Sequence, residues 1–258
     1  MLQSPTKTKM SDIFYSSKSC IERAKHHFID FERQTSGFLA TRPYISVIEI
    51  DPNTAEEIHK IKLTESVPAV LSNIAFDATI NLRSALDQAT FAVAKAFCGQ
   101  TTFIYYPFSV NVTEFENRIK GSSPKLPKEI LDIMSKFKSY KGGDSPLWAL
   151  NQLANTGKHA IISPVGLTTS EISYTDGVFT NMGLTLPFWD RTKNEMIFLR
   201  VPKGATAKVN FGFALSIEID GVEFVGGKPA VVVLYDLICK VERIVMTIEA
   251  EARRIGLC

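Results

Sequence analysis

The stretch SVPAVLSNIAFDATINLRSALDQATFAVAKAFCG, residues 66–99, decides the fold of this chain. Its apolar residues recur at the spacing of one helical face, and they are Leu71, Ile74, Ala78, Leu82, Ala85, Ala89, Val93 and Ala96. Ser66 can cap the first turn, and Gly99 follows the last periodic residue. The pattern predicts one helix of about eight turns as the central element of the molecule.

Further helices are predicted on both sides of the central one. From Ser19 onward apolar residues recur at helical spacing, and Gly37 is placed to end that helix. A last helix has an apolar face made by Leu234, Ile238, Val241, Val245, Ile248 and Ala252. Shorter helices are expected over 114–120, over 128–137 and after a cap at Asp144.

Two segments are predicted as hairpins. Residues 44–50 and 58–63 alternate apolar with polar around the turn Asp51-Pro52-Asn53, which indicates a hairpin at 44–63. Asp176-Gly177, between two apolar runs, is typical of a second hairpin. Strands are also expected over 196–201 and over 209–219, where the alternation is unbroken.

The order helix, hairpin, helices, sheet, helix lacks regular βαβ alternation. We therefore predict an α+β fold, with a helical core of central, N-terminal and C-terminal helices and a mainly antiparallel sheet. Residues 1–16 are expected to be a flexible tail and 17–258 a single domain. The helical part would cover about 17–163, and the sheet with the final helix about 164–258.

Composition excludes several classes of partner. The 258 residues carry 29 Lys and Arg against 27 Asp and Glu, a net charge of +2, so no whole-protein field attracts nucleic acid or anionic lipid. No apolar run approaches the roughly 18 residues that span a bilayer. The four cysteines form no metal-binding pair. We expect a cytoplasmic protein with free thiols, no membrane contact, no metal and no cofactor.

The polar residues of the central helix fall on two flanks. Asp77, Asn81, Ser84 and Gln88 form one stripe. Arg83 and Asp87 are four apart on another flank and are spaced for an ion pair. This pattern suits either half of a binding site or a solvated face with one weak salt bridge.

A second polar stripe follows the cap at Asp144. Asn151, Asn155 and His159 recur at steps of four, with Trp148 on the same side and Lys158 beside them. Two carboxamides, an imidazole and an indole can bind a planar or anionic ligand. The same residues could instead tie neighbouring loops, and Lys158 with His159 could serve the dipole at a helix end.

Three segments together resemble a widespread group of uncharacterised bacterial proteins. They are Asp77 to Gln88 with its core Leu-Arg-Ser-Ala-Leu-Asp-Gln, Tyr-Pro-Phe at 106–108, and 147–159, which ends in Asn-Thr-Gly-Lys-His. In that group the first segment typically reads Leu-Arg-Ser-Ala-Leu-Asp-His. An Arg followed five positions later by His is similar to the signature of the HEPN superfamily, which includes metal-independent ribonucleases of toxin and phage-defence systems.

The resemblance implies a role for each matching position. Arg83 would contact the scissile phosphate, and a homodimer would bring two such helices together on RNA or a nucleotide. Gln88 replaces the signature His and cannot exchange a proton near neutral pH, so His159 would have to relay it. The expected catalytic residues are thus Arg83 and His159, and the expected ligand contacts are Asp77, Asn81, Asp87, Gln88, Trp148, Asn151, Asn155 and Lys158.

Gln88 also favours an alternative from another class. In that alternative the protein is a catalytically inert ligand-binding or protein-binding module, and the polar motifs of the helices are structural. A third interpretation is that the strand over 209–219 offers its edge to a partner protein.

Overall fold

The computed structural model describes residues 12–99, 104–156, 166–180, 188–190, 192–219, 222–225 and 228–258. The described helices are α1 (Tyr15–Ala40), α2 (Ala69–Cys98), α3 (Val112–Ser122), α4 (Lys128–Lys136), α5 (Ser145–Thr156) and α6 (Ala230–Arg254). The described strands are β1 (Tyr44–Ile50), β2 (Glu57–Leu63), β3 (Gly166–Thr180), β4 (Phe188–Asp190), β5 (Glu195–Val201) and β6 (Thr206–Glu218). The α+β prediction, including the three long helices, is confirmed.

The chain divides into two compact units. Unit 1 comprises residues 1–28, 75–159 and 234–258, and unit 2 comprises 29–74 and 160–233. The prediction of a single domain stays a prediction, and each unit is described by itself below.

The core of unit 1 is made by α2 and the parts of α1 and α6 that belong to this unit. Phe14 just before α1, Leu82 on α2 and Val241 on α6 are completely buried. The Ser17 hydroxyl donates to the backbone oxygen of Ala85 at 2.7 Å, so α1 lies directly against the backbone of α2. Two ion pairs of 2.7 Å, Lys18 with Glu249 and Lys25 with Glu242, join α1 to α6.

Three boundaries of the long helices α1 and α2 differ from the prediction. The first helix begins at Tyr15, inside the predicted tail, because the Asp12 carboxylate accepts the Phe14 N–H at 3.0 Å. It then continues through Gly37 to Ala40, where buried Phe38 still anchors it. The central helix begins at Ala69 rather than after Ser66, because a proline restricts the residue before it to extended backbone.

Unit 2 contains an antiparallel sheet in the order β1-β2-β5-β4. The predicted hairpin at 44–63 is confirmed, since Tyr44 pairs with Leu63 and Ile50 with Glu57. One face of this sheet covers a cluster of buried side chains, which are Ile61, Met196, Phe198, Leu199 and Val201. Burial of these apolar side chains stabilises unit 2.

The prediction of a hairpin at Asp176-Gly177 is wrong. Strand β3 runs straight through these residues and pairs antiparallel with β6, Asp176 opposite Asn210 and Gly177 opposite Val209. The register shifts between Tyr174 and Asp176, which marks an irregularity of the β-bulge type. A glycine inside a strand is common beside a bulge, and here that role wins over turn formation.

Three further features of the described residues concern membrane spans, metal ligands and cysteines. The helices in the described part of the chain are too short or too polar to cross a membrane. Among the same residues, no three His, Cys, Asp or Glu side chains gather as a set that could hold a metal ion. The four cysteines are free thiols, as predicted, with Cys98 and Cys239 exposed.

Candidate functional site

Arg83 lies on α2 with its charge already engaged. Its guanidinium forms an ion pair with Asp87 one turn later, which confirms the predicted i,i+4 pair. The same guanidinium lies 4.4 Å from the centroid of the Phe108 ring, a cation–π distance. Only 19% of the Arg83 side chain is exposed. Arg83 is therefore held on α2 by a carboxylate and against an aromatic face.

Asp87 ties the segment around residue 106 to α2. Besides pairing with Arg83, its carboxylate accepts the Tyr106 backbone N–H at 2.8 Å. The Tyr106 phenol is buried and accepts a hydrogen bond of 3.1 Å from the Ser139 hydroxyl. Burial raises the pKa of Tyr106 well above its usual range, so the phenol stays neutral. The structure thus joins two of the quoted motifs, Leu-Arg-Ser-Ala-Leu-Asp and Tyr-Pro-Phe, into one framework.

Asp144 is a second framework residue of unit 1. One carboxylate oxygen accepts the Leu147 N–H at 2.9 Å, which confirms the predicted cap of α5. The other oxygen pairs with the ammonium of Lys240 on α6. Sequence reasoning missed this ion pair, because its partners are 96 positions apart in the chain.

Gln88 faces a different flank of α2. Five positions along a helix correspond to a rotation of about 140°, so Arg83 and Gln88 point in different directions. The Ser16 hydroxyl donates to Gln88 Oε1, and Gln88 Nε2 donates to Cys20 Sγ at 3.3 Å. Burial raises the pKa of the Cys20 thiol. The residue at the signature histidine position therefore links α2 to α1.

A groove opens beside Gln88 between the start of α1 and the end of α2. Its volume is about 710 Å³, and we call it the α1–α2 groove. Its described lining residues are Ile13, Ser16, Gln88, Phe91, Ala92, Lys95 and Ala96. The lining is mostly apolar, and Lys95 is the only charged residue among the described residues that form it. Sequence reasoning missed this groove. The usable signal was Phe91, a large aromatic residue next to the apolar face predicted for α2, and the structure shows it half-buried.

The remaining predicted ligand contacts within the described residues differ in their exposure. Asp77 is exposed, and the Asn81 amide donates to the backbone oxygen of Asp77 at 2.7 Å within its own helix. Trp148 is 5% exposed, so its ring packs inside unit 1 and offers no open stacking surface. On the same helix, Asn151 is half-buried and Asn155 is exposed.

Lys158 and His159 lie outside the described residues. The predicted convergence of Arg83 with His159, and the proton relay by His159, therefore stay predictions. Of the expected site, the described part shows that Arg83 and Asp87 are brought together and that Gln88 is not with them.

Unit 2 carries a cluster of charges that sequence reasoning also missed. Lys60 binds Glu49 at 2.7 Å and Glu195 at 2.9 Å, and Lys62 reaches the same two carboxylates at 2.5 and 3.5 Å. Hydrogen bonds from Lys60, and then from Lys62, lower the pKa of Glu49 to about 2. Since each lysine in this lysine–glutamate cluster contacts both carboxylates, the cluster is balanced within itself and is structural in character.

Comparison of the chain with protein-family models, with curated proteins and with solved structures finds no match. The resemblance to the HEPN superfamily stays an expectation.

Proposed function

We propose that this protein is a catalytically inert binding module. In it, the polar residues of α2 fix the helical core, and the α1–α2 groove takes the ligand. The observation that carries the proposal is the state of Arg83, whose guanidinium is bound by Asp87 and covered by Phe108. Both contacts tie the guanidinium to neighbouring side chains of the protein, which supports a role for Arg83 in the framework of unit 1.

Two features of α2 argue against phosphodiester cleavage at this place. A phosphate at Arg83 would have to compete with the Asp87 carboxylate, which already binds Nη1, and it could approach only the edge of a guanidinium whose face is covered by Phe108. Gln88 has no proton to exchange near neutral pH, and its amide is already bonded to Ser16 and Cys20. The ribonuclease prediction remains the rival hypothesis, and it depends on His159.

The lining of the α1–α2 groove indicates the chemistry of its ligand. Ile13, Phe91 and Ala92 offer apolar contact. Lys95 supplies one positive charge, and no acidic residue is among the described residues that line the groove. A small molecule with an aliphatic body and one carboxylate complements this arrangement.

Titration calorimetry with decanoate as the probe tests the ligand class. We expect decanoate to bind, and Lys95→Gln to weaken its binding about tenfold, because a contact between opposite charges contributes about 1.4 kcal/mol. The neutral analogue 1-decanol should bind wild type and Lys95→Gln equally. Ala92→Trp, which fills the groove, should abolish binding of both probes.

Lys120→Gln is the matched control, since Lys120 is an exposed lysine in the last turn of α3, away from the groove lining. It should leave decanoate affinity unchanged. The proposal is overturned if decanoate does not bind wild type, or if Lys95→Gln and Lys120→Gln weaken binding to the same extent.

A further inference from the structure

The backbone N–H and C=O groups on the outer edge of β1 can be assigned from its pairing with β2. Among the described strands, β1 is at the end of its sheet and pairs with β2 alone. Thr64 donates to the Pro43 oxygen at 3.0 Å, and Asp51 donates to the Glu56 oxygen at 2.9 Å. Odd-numbered residues of β1 therefore bond to β2, and in an antiparallel ladder the even-numbered ones point their N–H and C=O groups away from it.

The side chains of β1 do not protect this edge. Ile45, Ile48 and Ile50 are exposed. The one charged residue of the strand is Glu49, and its carboxylate is held by Lys60 and Lys62 of the neighbouring strand. Natural edge strands usually carry lysine or proline to prevent pairing with another chain, and the seven residues of β1 contain neither.

We propose that a second copy of this chain pairs with this edge, β1 against β1, antiparallel about a two-fold axis at Val47. In this register Ser46 lies opposite Ile48 of the second copy, and Tyr44 lies opposite Ile50. All of these residues have even numbers. The N–H and C=O groups that point away from β2 in one copy therefore face the same groups of the other copy along the whole strand. The Tyr44 N–H is already bonded to the Arg42 oxygen, which leaves about six new backbone hydrogen bonds.

Self-complementarity selects a second copy, and this register, over other occupants. With the two-fold axis at Val47, all seven residues of β1 pair with the second copy. With the axis at Glu49, two carboxylates would lie opposite each other. With the axis at Val47, Glu49 lies opposite Ile45 of the second copy, and no like charges meet. The exposed Ile48 and Ile50 then gain Ser46 and Tyr44 of the second copy as cross-strand neighbours. This inference is independent of the α1–α2 groove.

A cysteine at the axis tests the register. Val47 would face its own copy at a non-hydrogen-bonded position, where Cα atoms are about 4.5 Å apart and a disulfide can form. Oxidised Val47→Cys should run as a covalent dimer on a non-reducing gel. The matched control Ile45→Cys is on the same face, but its two copies would be about 13 Å apart, too far to bridge. Wild type, with its four native thiols, gives the background.

Sedimentation velocity over a concentration series tests the association itself. Wild type should show a dimer that grows with concentration, and Ile48→Lys should remain monomeric because it places a charge on the paired edge. Ile29→Lys, at an exposed apolar position of α1, should still dimerise. A wild type that is monomeric throughout, a dimer that persists in Ile48→Lys, or a disulfide that forms through Ile45→Cys but not through Val47→Cys would overturn the proposal.

Discussion

Replacing Lys60 with alanine is expected to lower the free energy of unfolding by about 3–5 kcal/mol. The Lys60 and Glu195 side chains are only 9% and 4% exposed, and they bind each other at 2.9 Å. Removing the ammonium leaves the Glu195 carboxylate buried, and among the described residues its remaining ion-pair partner is Lys62 at 3.5 Å. A buried charge that loses its main partner destabilises the folded state far more than the loss of a surface pair.

Urea denaturation at neutral pH measures this effect, and Lys62→Ala is its control. Lys62 contacts the same two carboxylates, but 34% of its side chain is exposed. Its replacement should therefore cost less than about 1 kcal/mol. If Lys60→Ala and Lys62→Ala shift the denaturation midpoint equally, the buried part of the lysine–glutamate cluster does not stabilise unit 2 as described.

Asp87→Ala is expected to lower the free energy of unfolding by about 2–3 kcal/mol. The substitution removes two contacts at once, the ion pair with Arg83 and the acceptor of the Tyr106 N–H. Asp87→Asn keeps an oxygen that can accept the Tyr106 N–H, so it should recover part of the loss.

The same denaturation measurement applies, with Asp77→Ala as control. Asp77 is on the same helix but is exposed, and a surface substitution of this kind changes stability by no more than about 0.5 kcal/mol. Equal stabilities of Asp87→Ala and Asp77→Ala would mean that the segment around Tyr106 does not depend on the Asp87 carboxylate.

Much of the fold follows from local patterns in the sequence. The central helix, its end at Gly99, the hairpin at 44–63 and the cap at Asp144 depend on residues close together in the chain, and all are present. The hairpin at Asp176-Gly177 failed for the opposite reason. There, pairing with β6, a strand about 30 positions later in the chain, overrides a local turn preference.

The candidate site was predictable only in part. The Arg83–Asp87 pair could be read from helical spacing, because its partners are four positions apart. The covering ring of Phe108 could not, since it comes from a separate segment of the chain. The burial of Lys60 could not be predicted either. The alternation of the sequence predicts a solvent-exposed side chain, but in the structure Lys60 is buried and binds Glu195 of β5, which is distant in the chain.

The most direct test of the central claim, that Arg83 belongs to the framework and not to a catalytic site, is the free energy of unfolding of Arg83→Ala. Arg33→Ala serves as the control, since the Arg33–Asp30 pair is on an exposed helix surface. We expect the free energy of unfolding to fall by about 1–3 kcal/mol for Arg83→Ala and hardly at all for Arg33→Ala. The framework role of Arg83 would be contradicted if Arg83→Ala unfolded like wild type while abolishing an RNA cleavage that wild type performs.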